Sequence, residues 1–156
     1  MSWPPVEGML APGPTDEHAA AFWRFGAAGE LRVQRCSGCG RRRFPPRPLC
    51  PSCHSFDHEW ERLSGRGRIW SFVVSHPPLL PAYGEQAPYA VVVVELEAEG
   101  RPHDPALRLV GNLCRDAGDR LDAVDPTSVA IGDAVEVVFD PIDDDAALPR
   151  WRRVEP

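Results

Sequence analysis

The stretch Cys36-Ser-Gly-Cys39-Gly-Arg-Arg-Arg-Phe-Pro-Pro-Arg-Pro-Leu-Cys50-Pro-Ser-Cys53 decides how the chain is read. It holds two C-x2-C hooks and four of the five cysteines of the chain. A C-x2-C turn bends the backbone so that two thiolates converge on one ion, and two such turns complete a tetrahedral set of soft ligands. Gly38 and Gly40 supply permissive backbone where the hooks close, and Pro51 stiffens the second one. The spacing predicts one structural zinc ion held by Cys36, Cys39, Cys50 and Cys53. An iron centre of the rubredoxin kind uses the same four sulfurs, and disulfides or a redox dithiol would use the same residues; the matched pair of hooks favours a metal. With four thiols at hand, His54 and His58 read as surface residues.

Between the hooks lie Arg41, Arg42, Arg43, Phe44 and Arg47. Guanidinium groups so close together offer bidentate contacts to phosphate, which makes these four arginines candidates for a coenzyme phosphate or an acidic partner; a solvated surface is the alternative. Residues 24–68 carry a charge of +6, whereas residues 1–23 carry −3 and residues 69–156 carry −9, within a total of −6. Four thiolates around zinc would trim the basic block to about +4.

All 17 basic side chains are arginine, and there is no lysine. That excludes a Schiff base on this chain, covalent pyridoxal phosphate and a Walker-type phosphate loop. There is no G-x-S-x-G and no H-E-x-x-H, and Gly65-Arg-Gly67-Arg runs into a strand where a phosphate site would need a helix. His76, before Pro77-Pro78, is the best placed histidine. Asp143-Asp-Asp145 reads as a solvated turn and Cys114 as a small buried hydrophobe, so no catalytic residue is assigned.

Upstream of the hooks, Thr15 is a plausible N-cap with Asp16 and Glu17 in the first turn. A helix to about Phe25 places Ala19, Phe22 and Trp23 on one side, with Gly26 and Gly29 as stops. Phe22 and Trp23, with Phe44, are candidates either for packing on the domain or for contact with a partner or an acyl chain. Downstream, the pattern turns to period two, with strands expected at residues 66–76, 88–97, 106–114, 133–140 and 150–154. Tyr89–Leu96 is nearly continuous in apolar residues, which predicts burial on both faces. With 18 Pro and 13 Gly, short strands and turns dominate. The reading is therefore a mainly β chain in three segments: an arm and helix (1–29), a zinc ribbon (30–64) and a five-stranded barrel (65–156). No apolar run of roughly 18 to 20 residues is present, and the start has no basic then apolar leader pattern, so a soluble, cytoplasmic chain without a membrane partner is expected. The acidic barrel disfavours nucleic acid.

The ordered set Phe22-Trp23, Gly29-Glu-Leu31, the two hooks, Phe44-Pro-Pro46, Trp60, Gly65-Arg-Gly67, Pro88-Tyr89, Glu95-Leu96 and Ile131-Gly132 resembles the acyl-CoA-associated OB-fold family, domain-of-unknown-function family thirty-five. The resemblance runs from about Asp16 to Val154. It implies a helical arm, a rubredoxin-like zinc ribbon and an OB-fold barrel, with the four cysteines as metal ligands and no shared catalytic residue. Within the family, the chain is similar to the domain that accompanies steroid side-chain degradation in actinobacteria, as in cholesterol catabolism. That domain is part of an enoyl-CoA hydratase subunit and also binds a thiolase-like aldolase that releases a short acyl-CoA. The resemblance thus implies a non-catalytic subunit in a hetero-oligomer with such an aldolase, fused to or associated with a hydratase, and it admits acyl-CoA as a ligand. Other members bridge an acetyl-CoA thiolase and hydroxymethylglutaryl-CoA synthase.

Overall fold

Alternation of apolar and polar residues from Gly65 onward builds a closed five-stranded barrel. The computed structural model describes residues 7–12, 17–97 and 104–154. Three short strands, β1 (Arg32–Cys36), β2 (Arg42–Arg43) and β3 (His58–Arg62), form an antiparallel sheet in the order β2-β1-β3. The barrel strands are β4 (Arg66–Ser75), β5 (Tyr89–Leu96), β6 (Arg108–Cys114), β7 (Ala134–Asp143) and β8 (Ala146–Arg153). They close in the order β4-β5-β6-β8-β7, with β6 and β8 running parallel and β7 returning to β4. This is the OB-fold arrangement, and closure leaves no free sheet edge at those pairings.

Every expected barrel strand is present, with bounds shifted by one to four residues and most at β7 and β8. Residues 146–149, ahead of the strand expected from Arg150, belong to β8, because Asp144 and Asp145 form a tight turn and β7 and β8 zip together on either side of it. Asp143 caps that turn by accepting from the Asp145 N–H at 2.8 Å. Pro149 is tolerated because the first half of β8 pairs only with β7. The expected burial of β5 on both faces is corrected: Ala90, Val92, Val94 and Leu96 are buried, while Val91 and Val93 between them are half-exposed. The loop after Cys114 makes a 3-10 turn at Leu121–Ala123 whose Leu121 is buried.

The helix α1 runs Ala20–Ala27, and the expected cap Thr15 lies outside the described residues. Gly26 does not stop it. A side chain there would come within 2.9 Å of the Ala147 carbonyl oxygen, so glycine lets the helix lie against β8. Termination falls to Gly29, whose φ of +75° suits the left-handed position after the last turn. The Glu30 N–H reaches the Phe25 carbonyl at 2.8 Å and the Gly29 N–H reaches that of Gly26 at 2.9 Å, the paired bonds of a Schellman ending.

One hydrophobic cluster runs through all of these parts. Phe22 from α1, Leu31 and Val33 from the ribbon, and Leu63 from the link join Ile69, Val92, Val94, Leu109, Leu113, Val135 and Trp151 of the barrel. Trp151 is fully buried. Nearby, Arg150 and Asp140, each almost fully buried, pair at 2.9 Å. Arg150 also donates to the Asp119 carbonyl at 2.6 Å, so the pair ties the β7–β8 hairpin to the loop before Leu121. No helix among the described residues is long and apolar enough to cross a membrane.

Candidate metal centre

The hooks meet as their spacing demands. The sulfurs of Cys36, Cys39, Cys50 and Cys53 all lie within 4.8 Å of one another. The Cys36 and Cys53 sulfurs are 3.5 Å apart and those of Cys39 and Cys50 are 3.7 Å apart. Four sulfurs at about 2.3 Å from a central ion stand about 3.8 Å apart, the spacing of the two closest pairs here, so the set suits a tetrahedral metal. The first cysteine of each hook is buried and the second exposed.

The two hooks close in the same way. The Gly40 N–H bonds the Cys36 carbonyl at 2.9 Å, and the His54 N–H bonds the Cys50 carbonyl at 3.0 Å. Gly40 has a φ of +75° and His54 a φ of +62°. His54 therefore stands where the first hook uses glycine, a backbone position that sequence reading left as plain surface. Gly38 keeps a negative φ; its missing side chain matters because a Cβ would come 3.3 Å from the Cys53 sulfur. Backbone N–H groups already favour thiolate here. Those of Cys53 and Ser52 pull Cys50 down to about 6, and that of Cys39 lowers Cys36. Cys53 receives the Ser55 N–H, but the neighbouring sulfurs and burial outweigh it and raise the thiol to about 11. A divalent cation removes that conflict, because it neutralises the crowding of four sulfurs.

The four arginines between the hooks separate. Arg42 grips Glu61 with two parallel bonds, at 2.9 and 3.0 Å, and its side chain is almost fully buried. Arg43 is buried too, donating to Gln34 Oε1 at 2.8 Å and to the Arg47 carbonyl at 3.1 Å. These two are corrected from candidate anion ligands to internal struts. Arg41 and Arg47 are exposed, and Arg41 reaches across to Ser52 Oγ at 3.0 Å, bridging the hooks. The basic charge of the ribbon is further matched by Glu30, which holds Arg32 and Arg62, and by Glu59 beside Arg35.

Phe22 is likewise core, not surface, meeting Trp23 at 5.0 Å and Phe44 at 5.2 Å between ring centres. The three rings join helix, ribbon and barrel. Trp23 is half-buried and lines two clefts, one of about 240 Å³ under residues 9–10 and one of about 460 Å³ beside Asp143.

Family models match across this centre and through the barrel beyond it. One for the ChsH2 rubredoxin-like zinc ribbon domain covers residues 23–59, and one for the ChsH2 C-terminal OB-fold domain covers residues 60–140. The chain belongs to the ChsH2 family. It is 35% identical to the 3-oxo-4,17-pregnadiene-20-carboxyl-CoA hydratase alpha subunit of Mycobacterium tuberculosis, over 85% of this chain and 37% of that protein. It is 34% identical to a DUF35 domain-containing scaffold protein of Methanothermobacter thermautotrophicus, over 70% of this chain and 71% of that one. A solved chain of an Ltp2-ChsH2(DUF35) aldolase superposes with a TM-score of 0.72 at 30% identity, covering 91% of this chain and 98% of its own. The chain spans about two fifths of the length of the hydratase subunits it matches.

The remaining reactive groups of the chain are dispersed. Cys114 is buried, its sulfur 3.4 Å from the Trp151 carbonyl, and burial pushes the thiol up to about 11. An unreactive packing thiol is the result. His76 is exposed at the end of β4, and His58 sits against Gln34 with its Nε2 at 3.2 Å from Gln34 Nε2. His103 lies outside the described residues.

Proposed function

We propose that the chain is a non-catalytic ChsH2-type subunit or domain that binds and stabilises a thiolase-like acyl-CoA enzyme, a retro-aldolase that shortens a steroid side chain and releases a short acyl-CoA. The carrying observation is the match to a chain of the Ltp2-ChsH2(DUF35) aldolase, which extends over 98% of that chain. The steroid substrate is supported by the pregnadiene-carboxyl-CoA hydratase subunit among the relatives. Zinc at the four cysteines supplies folding energy and no chemistry, because all four positions are taken by the chain's own sulfurs. If the chain helps to hold the coenzyme, Arg41 and Arg47 are the exposed arginines between the hooks that can meet its phosphates. Reconstitution tests the reading: the chain and a purified thiolase-like partner are assayed together and apart for cleavage of a steroid side-chain CoA thioester. Activity of the mixture well above that of either component is expected; cleavage by this chain alone at the full rate would sink the proposal.

A second reading rests on a different observation. The scaffold relative is covered over 71% of its length, more than the hydratase subunits are. A bridge between an acetyl-CoA thiolase and hydroxymethylglutaryl-CoA synthase would recover both enzymes with the tagged chain, whereas the aldolase reading recovers one thiolase-like subunit.

A further inference from the structure

Strands β4, β5 and β6 are more apolar than the barrel needs. Inward-facing Val92 and Val94 fill the core, yet Val91 and Val93 point the other way and are only half-buried. Register sets Val73 of β4 beside Val91 and Val110 of β6 beside Val93. Val73 is 58% exposed and Val110 60%. Trp70 sits at the β4 irregularity, 49% exposed, with the Arg108 guanidinium 3.7 Å from its ring centre. Leu80, 59% exposed, lies in the loop from β4 to β5. Aliphatic side chains paired across three strands and left in water cost free energy, and a contiguous patch of this kind marks an interaction surface.

The charge on this face is already cancelled. Arg108 bonds Glu95 at 2.9 Å while lying over Trp70, so it is not free to take a phosphate. The outer face of the second and third strands, with its flanking loops, is where OB folds bind extended polymers, and those sites use aromatic platforms and free cations. In this barrel the second and third strands are β5 and β6, and their outer face carries valines. Such a face suits a folded, apolar protein surface.

We propose that the outer face of β4–β6, with Leu80 at its margin, is where the thiolase-like subunit docks. This rests on the functional reading above. Because the matched chain of the solved Ltp2-ChsH2(DUF35) aldolase is covered over 98% of its length, the surfaces it offers in that complex fall almost wholly on elements shared here. Among the described residues, five of the ten exposed large hydrophobics lie on this face or its β4–β5 loop, whereas Leu49 and Phe56 are those of the ribbon.

The test measures binding of the full, metal-loaded chain to the Ltp2 subunit of the solved aldolase and to the thiolase-like subunit recovered from the chain's native source. Val73→Glu and Val110→Glu are expected to weaken binding about 100-fold or more, the effect of charging the centre of an interface. Phe56→Glu, on the ribbon, is expected to leave it unchanged. Hydroxyl-radical footprinting of the unaltered complex provides a readout free of folding artefacts, with Trp70 and Leu80 losing labelling severalfold. Undiminished binding by both valine variants, or loss with Phe56→Glu instead, overturns the face and leaves the functional reading standing. Failure of the unaltered chain to bind either subunit overturns the functional reading itself. Sedimentation of the chain alone completes the set: self-association abolished by the valine variants assigns the face to a second copy and overturns the proposal.

Discussion

The ribbon and the barrel are adjacent in sequence and share one apolar cluster, but they are held together by different forces. The barrel surrounds Trp151 of β8 with aliphatic side chains from its other four strands and closes its own hydrogen-bonding edges. The ribbon has strands of five, two and five residues, contributes Leu31 and Val33 to the core with Phe44 and Trp60 packed against it, and otherwise relies on charge pairs and four sulfurs. A sheet that small cannot bury enough surface to offset its ordering entropy, so the metal supplies the difference. Stability is therefore divided unequally along the chain, and the division can be tested.

The largest effect expected is Cys50→Ser. Structural zinc in comparable small sites contributes apparent binding energies of about 10–16 kcal/mol, so losing one ligand should empty the site and melt β1–β3. Metal analysis and NMR of the barrel methyl groups check this: ribbon resonances should collapse while those of Val92 and Val94 persist. Simultaneous loss of both sets would show that the barrel depends on the metal as much as the ribbon does.

Next in size is Asp140→Ala in the barrel. It strands the Arg150 guanidinium in the interior, which typically costs about 3–5 kcal/mol. Denaturant unfolding should show this loss with the metal still bound, separating barrel stability from ribbon stability.

Cys114 gives a smaller, pH-dependent term. Its folded thiol is pushed to about 11 from an ordinary 9.0, so the unfolded chain ionises first. Stability from this group is whole below about pH 9 and declines as pH rises towards 11, since the unfolded state then binds fewer protons. No lysine titrates in that window. Cys114→Val should flatten the alkaline slope of stability, and an unchanged slope would show that Cys114 contributes none of it. Smallest is His54→Gly, expected to gain about 1 kcal/mol in the ribbon by relieving a left-handed non-glycine residue. Chelator competition, read as a slower loss of metal, measures it.

What sequence made legible follows the same division. The metal ligands were readable because four thiols at fixed spacing have few other uses, and the barrel strands because apolar alternation persists over seven to ten residues. The arginines were not. Three in a row look like one basic patch, but Arg42 and Arg43 turn inward, where Gln34 on the adjacent β1 and Glu61 on β3 beyond it receive them. Gly26 misled for a related reason: a glycine that ends a helix and one that lets a strand approach it are the same letter. Phe22 and Trp23 are neighbours in sequence, yet one is core and the other lines a cleft, a distinction set by the distant β8. Val91 and Val93 extended an apolar run, and only the closed barrel shows that they face outward.

The seat of α1 on β8 has a consequence for biosynthesis. The helix α1 rests against β8, more than a hundred residues further along the chain, with Gly26 close to the Ala147 carbonyl. On a ribosome, α1 and the ribbon emerge long before residues 146–153 are made. Throughout that interval Phe22 can meet only its ribbon partners, such as Phe44, and the face of α1 that seats on β8 stays uncovered until residues 146–153 arrive.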